Sequence, residues 1–403
     1  MIRQKRFASK ISAKRRRRHC AVLPKKGVIV KAFNSGHFLM SCRLDNWLKL
    51  LEENHFHIAR ECIPQALYIS ATSLALSPAS AAESLIYNKR IRETKIEKEP
   101  IFILGHWRSG TTYLQNVLSR DEQFGWFDPV STVALPYSIL LGKLLEKPVE
   151  KGIANGRPQD NVQYALDLPM EETFGVLTIS PYSIIHMIAF PENYEHYIKG
   201  AFVGDLSQEE LRRWEQSYDF AIRKLTYIKK GKQLILKSPD NTARIRELWG
   251  MYPDARFINI HRDPYKTIRS TINMFATEVA TLRLTKTPEN LDEKMEDTII
   301  GIFERMYREL FELEPFFPKN RYADIAYTDF CAAPVETLRD IYRKLELSGF
   351  EEAAPRFQAY VDAQRGYQKN KFEISPRLVR KINARLGFYM EHYGYEMREV
   401  EEE

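Results

Sequence analysis

IFILGHWRSGTT, residues 101–112, decides the fold. Four apolar residues predict a buried strand. Gly105 opens a loop, Gly110 closes it, and the threonines at 111 and 112 begin a helix. A strand–glycine loop–helix unit is a phosphate cradle, because amides at a helix start bind oxyanions through hydrogen bonds and the helix dipole. A Walker loop would carry lysine where this chain has Thr111, and here a cation, Arg108, stands inside the loop instead.

Working outward, residues 33–98 read as a helical N-terminal segment, with an apolar stripe through Leu44, Trp47, Leu48 and Leu51. Within it 63–87 is only mildly apolar and holds Pro64 and Pro78, which predicts a helical hairpin packed on the body or a segment lying on a membrane surface, not a span. Beyond the loop, 120–233 is a long, aromatic-rich, mainly helical insert. Strand LILK (234–237), helix TARIRELWGMY, strand ARFINIH (255–261) and helix PYKTIRSTINMF follow. A helical block (286–314), strand RYADIAY (321–327), helix VETLRDIYRKL and a helical C-terminal segment complete the chain. Strands alternating with helices predict an α/β fold: a P-loop-like three-layer domain, 99–403, with a central parallel β-sheet flanked by helices. Ligands sit at the carboxyl ends of such strands, so Gly105 and Arg262, each following a strand, are expected in one crevice.

Residues 1–18 hold nine Lys/Arg and no acid, leaving 51 bases against 53 acids in a nearly neutral body. Residues 1–32 are therefore expected to be a basic, disordered tail. The tail and 63–87 are where contact with a membrane surface is expected, and nucleic acid is not an expected partner. The four cysteines (20, 42, 62, 331) show neither metal-ligand spacing nor a disulfide framework, which fits a reducing cytoplasm.

A nucleotidase would need Mg²⁺, a strand-end acid and the loop lysine. Here the strands end in LILK, INIHR and IAY. A sulfuryl group carries one negative charge less than a phosphoryl group, so side-chain cations can neutralise its transition state without metal. The residues then carry a resemblance. FILGHWRSGTTYL resembles the 5′-phosphosulfate loop of the sulfotransferases, in the RSGTT variant seen in many bacterial members and in the tyrosylprotein branch. The segment 234–271 resembles the family's 3′-phosphate element, an arginine at a strand end and a serine eight residues later, here Arg262 and Ser270. YTDFCAAPVETLRDIYRKL resembles the unit whose tyrosine lines the adenine pocket, here Tyr327.

The resemblance implies 3′-phosphoadenosine 5′-phosphosulfate (PAPS) as donor, its bisphosphate (PAP) as product, in-line transfer and no metal. Gly105, Arg108, Ser109, Gly110, Thr111, Thr112, Arg262, Ser270 and Tyr327 would hold the donor. Arg108 is the first candidate to stabilise charge on the leaving oxygen. Lys237 is the second, since the family places a lysine at this strand end. The cytosolic branch has a histidine base two residues past that lysine, where this chain has Pro239, and related bacterial members have one four residues past it, where this chain has Asn241. A carboxylate can take over if burial raises its pKa. Glu171 and Glu172 in DLPMEETFG, and Asp128 in GWFDP, are the candidates. Asp240 is expected to pair with a cation or cap a helix, and His186 to be a packing histidine. The aromatic insert predicts an apolar acceptor site, favouring a sterol, lipid or phenol-like hydroxyl over a glycan or protein. A P-loop kinase or NTPase, and a non-catalytic nucleotide-binding or membrane-tethered protein, are the readings from outside this class.

Overall fold

The structure, a computed structural model, describes Asn34 and residues 36–153, 165–364 and 373–400. The basic tail lies outside the described residues. Strands β1 (Ile101–Leu104), β2 (Phe124–Gly125), β3 (Gln233–Leu236), β4 (Arg256–His261) and β5 (Tyr322–Ala326) form one parallel sheet in the order β2-β3-β1-β4-β5. Ile101 pairs with Ile235 on one side and Arg256 on the other, fixing β1 in the middle. β2, inside the stretch expected to be helical, is two residues long, too short to leave a periodic signal.

Helices of eight or more residues are α1 (Leu44–Glu53), α2 (Ile63–Glu93), α3 (Thr111–Leu118), α4 (Ser138–Ile153), α5 (Gln208–Ile228), α6 (Pro264–Leu282), α7 (Leu291–Leu313), α8 (Pro334–Lys344), α9 (Phe350–Ala363) and α10 (Pro376–Tyr393). Side chains of β1 alternate between two cores. Phe102 and Leu104 join residues of α5, α6, α7 and α10, while Ile101 and Ile103 join residues of α3, α8 and α9. The expected three-layer α/β arrangement is present, with both sheet faces covered because a parallel sheet is apolar on both sides.

Several boundaries differ from the sequence reading. Residues 63–93 form one continuous helix, not a hairpin. Pro78 removes one backbone donor, but it lies on the outward side where water can reach the freed carbonyl, so no break is forced. In α1 the buried residues are Asn46, Trp47 and Leu50, and Leu48 points outward. Helix 242–252 is split: Pro239–Arg244 is a 3-10 turn and Ile245–Met251 the helix proper. Tyr327 does not end a strand but starts a short helix, Tyr327–Ala332.

Candidate active site

Three neighbouring strand ends meet at one edge of the sheet. Lys237 follows β3, the loop follows β1 and Arg262 follows β4, so the crevice carries them in that order, with Tyr327 beyond β5.

The loop is built for close approach. Gly105 has φ 135°, and a Cβ there would sit 2.6 Å from the Ile260 carbonyl oxygen and 2.6 Å from Ser109 Oγ. Its N–H donates to Thr242 Oγ1 at 2.8 Å. Gly110 has φ 111° and starts α3 with no side-chain cap, and a Cβ there would overlap the Tyr327 ring. The first amides of α3 have no intrahelical acceptor, and the helix begins directly after the loop that follows β1. Ser109 Oγ is buried with no partner among the described residues. An orphaned hydroxyl, free first-turn amides and a glycine cradle fit an oxyanion such as the phosphosulfate end of a donor nucleotide.

Arg108 adopts φ 69°, a left-handed conformation that costs a non-glycine residue about 1 kcal/mol or more. Arg262 Nη1 holds it there by donating to the Arg108 carbonyl at 2.8 Å. Arg108 Nε donates to Ser270 Oγ at 3.0 Å. The Arg262 guanidinium lies 4.3 Å above the Tyr327 ring. Four residues assigned from separate segments thus form one cluster on the β4–β5 side. The Arg262 amide and carbonyl are both bonded to the Tyr389 hydroxyl, at 3.2 and 2.9 Å, which fixes the strand end from α10.

On the β3 side, Lys237 Nζ donates to Glu171 Oε1 at 2.5 Å and to Thr112 Oγ1 at 3.2 Å. The lysine side chain is 2% exposed and the Glu171 side chain 14%. Lys237, Glu171 and Thr112 line a pocket whose other walls include Trp107, Met170, Phe174, Ile185 and Phe275. The two cation candidates therefore part company: Arg108 is drawn to Ser270, Lys237 to Glu171 and the loop threonine.

The three base candidates also separate. Glu172 is fully buried and accepts from the Lys237 amide at 2.9 Å, from the Tyr218 hydroxyl at 3.1 Å and from Asn241 Nδ2. Burial pushes its pKa up, and hydrogen bonds, including that from Asn241, oppose the shift. Asp128 caps the Pro129–Val133 helix by accepting from the Ser131 amide at 2.8 Å, and pairs with Lys229 at 2.8 Å. Of the three, only Glu171 lines the pocket. Asp240 is buried and pairs with Arg244 at 2.8 Å. His186 is buried, its pKa lowered to about 4 by desolvation, and packs edge-on to Tyr197.

A sulfotransferase-family model matches residues 100–352, more than half of the chain. The chain belongs to the sulfotransferase family. An omega-hydroxy-beta-dihydromenaquinone-9 sulfotransferase of Mycobacterium bovis is 28% identical over 362 residues, 89% of this chain and 91% of the relative, and the Mycobacterium tuberculosis protein of that name matches equally. A sulfotransferase structure from Mycobacterium avium shares the fold at TM-score 0.59 and 17% identity, covering 89% of this chain and 98% of that one. Another, from Mycobacterium tuberculosis, does so at TM-score 0.58 and 18% identity over 87% and 94%.

For this sulfotransferase, several site-lining residues escaped the sequence reading. Thr242 anchors the loop from the 3-10 turn that follows β3, and Met274, Phe275 and Glu278 line the pocket from α6. Met274 and Glu278 had a signal: 270, 274 and 278 repeat every four residues, so once Ser270 is placed in the crevice the same helix face carries these two. Thr242 had none, since only the packing of β1 against β3 brings it to Gly105.

Proposed function

We propose that this sulfotransferase moves a sulfuryl group from PAPS to a hydroxyl of a hydrophobic, lipid-like acceptor, with Glu171 as general base. The observation that carries the reading is the Lys237–Glu171–Thr112 contact set in a pocket walled by Trp107, Phe174, Ile185 and Phe275. The donor would bring the sulfuryl group and a charged leaving phosphate. Loop amides, Ser109 and the Thr111 and Thr112 hydroxyls suit its 5′ end, while Arg262, Ser270 and Arg108 suit a 3′-phosphate through charge-assisted bonds. Tyr327 would stack on adenine.

With the donor bound, Lys237 would stand beside the leaving oxygen on which negative charge grows. A buried ammonium there stabilises the transition state more than the ground state, because little water competes for it. Glu171 takes the acceptor hydroxyl's proton as that oxygen bonds to sulfur. Glu172 holds the Lys237 backbone and Asn241 in place, which makes it a positioning residue. A lipid-like acceptor is supported by the apolar walls and by the relatives named for a hydroxylated menaquinone derivative. The test is a competition assay offering long-chain alcohols, phenols and glycans together with PAPS, read by mass spectrometry. Sulfation of the lipid class is expected, and sulfation of sugars alone would overturn the reading.

A further inference from the structure

α2 has two apolar sides but only one is covered. From residue 63 to 88 it carries a single charged side chain, Glu83, and that one points inward. Glu83 pairs with the buried Lys224 of α5 and accepts the Ile139 and Leu140 amides of α4 at 2.8 and 2.9 Å. Gln65, Ala66, Ile69 and Ser73 also face the body. The outer side keeps Ile63, Leu67, Leu74, Leu85 and Ile86 between 45% and 88% exposed, with only alanines and prolines among the exposed residues between them. A helix apolar all round belongs in a core or against lipid, and this outer side is not in a core. No described helix is long and apolar enough to cross a membrane.

Both ends of the stripe are cationic. Lys89, Arg90 and Arg92 are exposed at the C-terminal end. At the other end the Asn34 amide donates to Gln65 Oε1 at 2.6 Å, so the chain reaches the body beside the first turn of α2. The 33 residues before it hold twelve Lys/Arg and no acid. From Ile63 to Ile86 the stripe runs about 36 Å and is about 10 Å wide, roughly 360 Å². That is under half of the ~800 Å² per partner that a stable dimer buries. A bilayer surface has no such minimum, and anionic headgroups complement both cationic ends.

We propose that the outer side of α2 lies in the interfacial plane of an anionic bilayer, with Lys89, Arg90 and Arg92 at the headgroups. The proposal stands whether or not the acceptor is itself a lipid. The test is flotation of the full chain with phosphatidylcholine vesicles and with vesicles containing phosphatidylglycerol. Flotation with the anionic vesicles is expected, weakening as salt rises, and Leu74→Glu/Leu85→Glu should cut the bound fraction at least tenfold with the thermal unfolding curve unchanged. Should that variant misfold, hydroxyl-radical footprinting of the unaltered chain replaces it: oxidation of Leu67, Leu74 and Leu85 should fall at least threefold on anionic vesicles. A chain that stays unbound at low salt, or a folded double variant that floats like the parent, overturns the proposal. So does light scattering that shows a dimer split by the double variant, since a second copy would then cover the stripe.

Discussion

Replacing Lys237 by methionine separates two roles that the geometry alone would allow. The amine, 2.5 Å from Glu171 and 2% exposed, either stabilises charge on the leaving oxygen or merely neutralises Glu171. Two unit charges about 4 Å apart interact by about 4 kcal/mol at an effective dielectric near 20. Only part of a charge develops on the leaving oxygen, so about 2–4 kcal/mol is at stake, a loss of roughly 30- to 1,000-fold in rate. Methionine fills the same space, and Glu171, 14% exposed, gains water in place of the ammonium, so folding should weaken by about 1–3 kcal/mol. The assay is single-turnover transfer with saturating PAPS, followed by denaturant unfolding of the same preparation. The decisive arm adds Lys237→Met to Glu171→Gln and is read against Glu171→Gln alone, because Glu171 is itself the proposed base. If the lysine only balances Glu171, the added substitution costs no further rate. If it stabilises the transition state, the rate falls a further ~30- to 1,000-fold. A Lys237→Met single variant within fivefold of the parent, or a double variant as fast as Glu171→Gln, would refute the reasoning.

Three further outcomes are expected. Glu171→Gln should lower single-turnover rate at least ~100-fold and, by taking the carboxylate away from the 2%-exposed Lys237 ammonium, also weaken folding by about 3 kcal/mol, whereas Glu172→Ala strands the Lys237 amide, the Tyr218 hydroxyl and Asn241 and should cost about 3 kcal/mol of stability with a smaller loss of rate; a Glu172 variant slower than the Glu171 variant would move the base to Glu172. Gly110→Ala places a methyl group into the Tyr327 ring, so calorimetric affinity for adenosine 3′,5′-bisphosphate should fall at least tenfold, and an unchanged affinity would separate the loop from the nucleotide site. Asp324, bonded to Asn259 at 2.7 Å, has its pKa raised to about 7 by burial. The folded chain therefore holds a proton that the unfolded chain releases above about pH 4, and this group's contribution to stability declines as pH rises through about 4 to 7. Asp324→Asn should flatten that decline, gaining up to ~4 kcal/mol at pH 8 and nothing at pH 4; a variant that parallels the parent at both pH values would remove Asp324 as the cause.

The sequence by itself determined four of the five strands, the loop and the family. An apolar run ending in glycine, or in a polar residue followed by a helix, has one good solution in a parallel α/β sheet, and Ser270 lies about two turns into the helix that follows the strand-end Arg262. Those signals are local, because strand burial and helix periodicity are written within a few residues. Neighbouring residues were harder. Glu171 and Glu172 are adjacent and chemically alike, yet the first lines the pocket and the second is locked under Lys237, Tyr218 and Asn241. Only tertiary packing decides that, since one step along the chain at a helix start turns a side chain through about 100°. The same holds for Arg108, which could serve either end of the crevice until Ser270 and Arg262 are seen to hold it. It holds also for α2, whose even apolarity hides the fact that one side meets the body and the other does not.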